Sequence, residues 1–138
     1  MATFTTFEEI GAWQKARQFT KELYKATSSG AFGKDYDLRN QIRRAAVSMM
    51  SNIAEGFERS GTGEFKHFLS IAKGSAGEVR SQLYVAFDQN YLSKAVFDAF
   101  SGQATEIGRM IGGLMIHLGK SRIKGTKFRT EADLKLET

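Results

Sequence analysis

A chain of 138 residues, 41% hydrophobic and 25% charged with a formal charge of +5, has the balance of one globular domain, large enough to bury a core and too apolar to stay disordered. With no cysteine it has no disulfides, thiolate nucleophiles or zinc–thiolate sites, which suits the reducing cytoplasm expected for it. The opening MATFTTFEEI lacks the basic and then apolar pattern of a leader, and the apolar run from Met110 to Leu118 is too short and glycine-rich to span a bilayer, so no membrane partner is expected.

The chain also has no proline, whereas sheet-rich folds spend prolines on their turns, and an all-helical fold follows. Thr6 and Glu9 have the spacing of a capping box, and Ile10, Trp13, Ala16, Thr20, Leu23 and Thr27 then recur at helical spacing, predicting a first helix over about 6–28. Asp35 or Asp37 caps a second helix over about 36–58. The stretch RSGTG ends it, with Thr62 available to cap a third helix over about 62–90. A fourth is expected over about 93–119, where Phe97, Phe100, Ala104, Ile107, Ile111, Leu114 and Leu118 step by threes and fours. Four long helices with short connections predict an antiparallel up-down-up-down bundle over residues 1–120. Residues 121–138 form a tail in which the pattern dissolves. From Lys120 onward six basic and three acidic residues supply +3 of the formal +5. Lys120, Arg122, Lys124, Lys127 and Arg129 make this either a flexible arm that finds phosphates or an acidic partner, or a solvated chain end.

On the second helix Ile42, Ala46, Met49 and Ile53 form one apolar stripe, and Val47, Met50, Ala54 and Phe57 form another. Between them runs a polar seam of Arg44, Ser48, Asn52 and Glu55. Two stripes suggest cover on both sides, the second by a sister subunit. The third helix carries Ile71, Ser75, Glu78 and Gln82 opposite its core side, and a strip of small residues in Ser70, Gly74, Gly77 and Ser81. Each helix-interior glycine costs roughly 1 kcal/mol relative to alanine, so the strip implies either close approach of another backbone or tight packing inside the bundle.

The segment YDLRNQIRRAAVSMMSNIAEGFERSGTGEFKHFLSIAKGSAGEVRSQL, Tyr36 to Leu83, resembles the signature region of the 23S rRNA intervening-sequence protein family, through RRAAVS, NIAEG, the FL, IA and GS pairs and QL in order. The likeness extends more weakly over Phe7 to Leu118. It implies an antiparallel four-helix bundle that assembles as a homopentamer, in a bacterial family some of whose members are encoded inside segments interrupting 23S rRNA genes. The accessory variability determinant of diversity-generating retroelements, a basic barrel that binds reverse transcriptase and nucleic acid, is a more distant likeness. Met50 stands where the family usually has proline, which predicts a straighter second helix.

Enzyme chemistry finds little support, and no catalytic activity is expected. A di-iron bundle needs two Glu-x-x-His motifs, but Glu64 and His67 supply one and His117 has Leu114 three residues before it, so neither metal nor cofactor is expected. No nucleophile elbow or phosphate-binding glycine loop occurs. Glu55 and Glu78 read as members of a structural ion-pair network with Arg43 and Arg44 sooner than as an acid–base pair.

Nucleic-acid binding has its own pattern. Arg59, Lys66, Lys73 and Arg80 recur every seven residues and fall near one line along the third helix. Multiplied by symmetry, such a line attracts RNA or DNA through counterion release without reading sequence. No RNA-recognition motif, aromatic platform or helix-turn-helix accompanies it. Two functions stay open: an oligomeric scaffold that binds nucleic acid through Arg59, Lys66, Lys73, Arg80 and the tail, or a scaffold for a protein partner such as a reverse transcriptase or ribosomal component. In both, Arg43, Arg44, Ser48, Asn52, Glu55, Ser75, Glu78 and Gln82 are assigned to structure or interface.

Overall fold

The structure, a computed structural model, describes residues 4–121. Among them a 3-10 turn, Phe7–Glu9, precedes five α-helices: α1 (Gly11–Ala26), α2 (Gly30–Lys34), α3 (Tyr36–Glu58), α4 (Thr62–Asp88) and α5 (Lys94–Ser121). The described residues contain no strand, and none of their helices is long and apolar enough to cross a membrane.

The expected first helix over 6–28 is divided. Thr6 makes no capping bond; the Glu9 carboxylate instead accepts the Thr5 backbone N–H at 3.2 Å and the Thr5 hydroxyl at 2.6 Å, closing a separate turn. Ile10, 2% exposed, is extended at φ −75° and ψ 119°, so that its side chain enters the core before α1 begins at Gly11. At the far end α1 stops at Thr27, and α2 begins at Gly30, whose φ of 69° suits glycine. The Phe32 ring of α2 stacks on Tyr91 at 5.4 Å, fixing this corner to the α4–α5 turn.

Asp35 starts α3 by accepting the Leu38 N–H at 3.1 Å, and α3 continues without interruption through Met50. Beyond Arg59, Gly61 at φ 92° takes the N-cap position of α4 with no side-chain cap. Thr62 is therefore the first helical residue and does not serve as the cap expected of it: the left-handed backbone at Gly61 sets the turn instead. Ser93 Oγ accepts the Val96 N–H at 3.2 Å to open α5.

Helix α4 lies against both α3 and α5, and α1 bridges α3 and α5 across the core. Fully buried Phe19, Ile42, Met49, Ile53, Phe57, Phe65, Leu69, Leu83 and Ile107 fill the interior. Ring contacts tie the helices pairwise, Phe19 to Phe100 at 5.5 Å and Phe57 to Phe65 at 6.0 Å. Phe57 is thus a core residue of this chain, not part of an outer stripe. Met50 is half-buried and packs against the same core, which leaves Val47 at 38% exposure and half-buried Ala54 from that stripe. Where α3 meets α4, Gly56 has no space for a side chain: a Cβ there would lie 2.8 Å from Phe68 Cβ and 3.2 Å from the Phe65 carbonyl oxygen. The glycine of NIAEG is where α4 crosses its neighbour.

Candidate nucleic-acid interface

Helix periodicity gives α4 two polar flanks, one beside α3 and one beside α5. On the α3 side, Ser75 is 7% and Gln82 9% exposed. Ser48 and Ser75 share a hydrogen bond of 2.8 Å across the helix pair, and Asn52 Nδ2 donates to both the Ser48 carbonyl and the Ser48 hydroxyl at 2.9 Å. The centre of the seam therefore locks α3 to α4 within one chain. Its ends do not join it. Glu55 accepts from Arg59, and Arg44 is exposed beside Glu78 in a shallow depression also lined by Gln41 and Ala45. Gln82 Nε2 lies 3.5 Å from the Glu78 carboxylate, while its buried Oε1 has no hydrogen-bond partner among the described residues.

The ion-pair network expected between Glu55, Glu78, Arg43 and Arg44 is absent among the described residues. Arg43 points to α1, donating to Thr27 Oγ1 at 2.7 Å and to the Tyr24 carbonyl at 3.2 Å while its guanidinium lies over the Tyr24 ring at 4.3 Å. Its position on the helix aims it away from both glutamates, and it serves as a clasp on the end of α1.

The heptad cations occupy the other flank, in three different environments. Arg59 precedes α4 and is claimed by Glu55 at 3.0 Å and Glu64 at 3.6 Å, with its guanidinium 5.0 Å from the Phe68 ring centre. The expected line free of acidic neighbours consequently begins after it. Lys66 is half-buried and lies over the last turn of α5, where its Nζ would be 3.2 Å from a Cβ at Gly119. There its ammonium complements the negative end of the helix dipole. Lys73 and Arg80 are exposed and flank a groove of about 290 Å³ between α4 and α5.

That groove is floored by Ala76, Gly77, Ala104 and Gly108, and its α5 edge carries Thr105 and Arg109. Among the described residues no carboxylate and no aromatic ring lines it. Arg17 and Arg39 each lie over an aromatic ring of the chain, but no ion pair or ring contact holds Lys73, Arg80 or Arg109 among the described residues. Asp98, further along α5, is held by Lys94 at 2.7 Å. The outcome is a small-floored channel with three cations on its two edges that no described side chain neutralises. Arg109 was not among the residues singled out from sequence. Its legible signal is its place on the outer edge of the small-residue stripe Ala104, Gly108 and Gly112. A Cβ on Gly77 or Gly74 would meet nothing within 4 Å, so packing inside the chain does not account for either glycine.

Lys120 is exposed at the end of α5; Arg122, Lys124, Lys127 and Arg129 lie outside the described residues. No cluster of three or more His, Asp or Glu side chains is placed to hold a metal among the described residues. The two resolved pKa shifts lie away from the groove. Hydrogen bonds from Thr5 lower Glu9, and the bond from Tyr91 to Asp35 at 2.9 Å raises Tyr91.

Comparison with known proteins is consistent with this fold. The sequence profile of the family described as 23S rRNA-intervening sequence protein matches residues 8–113. Among solved structures, a protein of unknown function from the S23 ribosomal protein family of Bacteroides thetaiotaomicron superposes with a TM-score of 0.71 at 20% identity, over 76% of this chain and 95% of that one. At that identity the likeness concerns the fold alone. No curated protein matches the chain.

Proposed function

The chain belongs to the 23S rRNA-intervening sequence protein family, and from that premise we propose that it is a non-catalytic, oligomeric, cytoplasmic scaffold that binds RNA or DNA through the basic α4–α5 groove. The observation that carries the proposal is the groove itself: Lys73, Arg80 and Arg109 edge it and no carboxylate does. Cations with no ion-pair partner among the described residues, in a channel floored by small residues, suit a polyanion backbone, whose binding is driven by release of condensed counterions. Lys66 and Lys120 extend the same field, and the basic residues of the tail add to the net positive charge of the chain.

The assembly proposed is a homopentamer of up-down-up-down bundles. Registers that run in opposite directions support the topology: Ser48 meets Ser75 while Gly56 meets Phe65, and Lys73 lies over Gly112 while Lys66 lies over Gly119. The α3-side flank supports a contact between subunits. There the exposed Arg44 and Glu78 side chains and Ile71 at 40% exposure offer a mixed polar and apolar patch.

The second reading, a scaffold for a protein partner such as a reverse transcriptase or ribosomal component, draws on the exposed apolar side chains Tyr36 at 62% and Ile116 at 60%. Charge reversal separates the two. Lys73→Glu, Arg80→Glu and Arg109→Glu together are expected to abolish binding of a labelled nucleic acid in fluorescence anisotropy while leaving the native mass in sedimentation unchanged. Retained binding would refute the groove assignment, and dissociation of the oligomer would make the groove a subunit interface.

A further inference from the structure

We infer that the α4–α5 groove takes the phosphodiester backbone of a double helix in preference to a single strand; this rests on the nucleic-acid reading above and narrows its ligand class. Proteins that hold single strands combine a basic channel with aromatic rings on which successive bases stack. This groove supplies the charge without the rings, since none of the described aromatic residues lines it. The aromatic side chain that follows Arg80 by one turn, Tyr84, is 59% exposed and packs edge-on against Phe97 at 5.0 Å. One ring at the end of a channel cannot stack a run of bases, so the available contact is with phosphate and sugar.

The spread of the cations along the groove suits an extended anion better than a small one. Lys73 and Arg80 are two helical turns apart, about 10 Å along the axis, and Arg109 stands on the opposite edge. Such an arrangement does not converge on one phosphate. It meets several phosphates held at fixed separation, which a duplex presents already ordered and a flexible single strand must be ordered to present. The Thr105 hydroxyl on the α5 edge is the neutral donor and acceptor there, suited to a sugar or phosphate oxygen.

The test uses the full-length protein and four labelled probes of equal length: a DNA duplex, an RNA duplex and the single strand of each, at one ionic strength, read by anisotropy. At least one duplex is expected to bind about tenfold or more tightly than its own strand. Gly77→Leu then fills the groove without altering charge. Because a Cβ at Gly77 meets nothing within 4 Å, the bundle should tolerate it, with an unchanged circular dichroism spectrum and native mass. Duplex affinity is expected to fall about tenfold in this variant. Single strands binding as well as duplexes would overturn the inference while leaving the nucleic-acid reading intact. Unchanged duplex affinity in folded Gly77→Leu would show that the duplex does not lie in this groove. Failure of every probe at low salt would overturn both the inference and the reading beneath it.

Discussion

Replacing Gly56 by alanine should destabilise the protein, although alanine is the better helix former. In an unobstructed helix the exchange gains up to about 1 kcal/mol. At Gly56 the new methyl carbon would stand 2.8 Å from Phe68 Cβ, 3.0 Å from Phe65 Cδ1 and 3.2 Å from the Phe65 carbonyl oxygen. Two of those atoms belong to backbone or to the root of a side chain, so relief requires α4 to move away from α3. Forced repacking of this kind costs typically about 1–3 kcal/mol. The net expectation is a loss of about 1–2 kcal/mol, or several degrees in melting temperature for a domain of this size. Gly77→Ala is the matched control, since its methyl group meets nothing within 4 Å, and it should gain up to about 1 kcal/mol. Urea unfolding of the two variants and the parent, at one protein concentration because assembly stabilises by mass action, reads both signs. A Gly56→Ala protein as stable as the parent would refute the close-approach reasoning.

Asn52→Leu removes the donor that holds the Ser48 hydroxyl and should cost about 1 kcal/mol in the same assay, with unchanged stability and assembly counting against a structural seam. Asp35→Ala removes the side-chain cap of α3 and should also cost about 1 kcal/mol. It should also return Tyr91 to ordinary titration: with Asp35 present the phenol ionises above its usual pKa, so its contribution is complete below about pH 10 and is lost as pH rises through the raised value. Ultraviolet titration of tyrosinate checks this, and an unshifted Tyr91 in the parent would contradict the hydrogen bond. Thr5→Ala should raise the pKa of Glu9, whose depressed value lends stability that disappears as pH falls through it, and carboxylate chemical shifts followed by NMR report the change.

Helix type and the large core residues were legible because the apolar positions of 97–118 and 65–86 repeat at one period and bury one side. Boundaries set by single backbone torsions were not. Ile10 reads as helical by spacing, yet its extended backbone divides the first segment, and Gly61 takes the capping position that Thr62's side chain suggested. The heptad of cations gave the axis of the candidate site but not its edges. Seven-residue spacing places Arg59, Lys66, Lys73 and Arg80 on one line, whereas which of them keeps its charge free depends on contacts that spacing does not show: Glu64 and Phe68 around Arg59, across the α3–α4 turn, and the end of α5 beneath Lys66. Arg109 enters from another helix, 29 positions beyond Arg80, and only the packing of α5 on α4 brings it to the groove. The ion-pair network expected of Arg43 does not form, because spacing alone does not tell which way its side chain turns. Its guanidinium closes on Thr27 and Tyr24 instead of Glu55.

The most direct test of nucleic-acid binding through the α4–α5 groove is the salt dependence of duplex affinity in the parent and in the neutral variant Lys73→Gln, Arg80→Gln, Arg109→Gln. Each neutralised phosphate contributes about 0.9 to the slope of log affinity against log salt, so removing three contacts from one groove should flatten the slope by about 2.7. Equal slopes in parent and variant would mean that these three cations carry no phosphate, and the groove would no longer be the site.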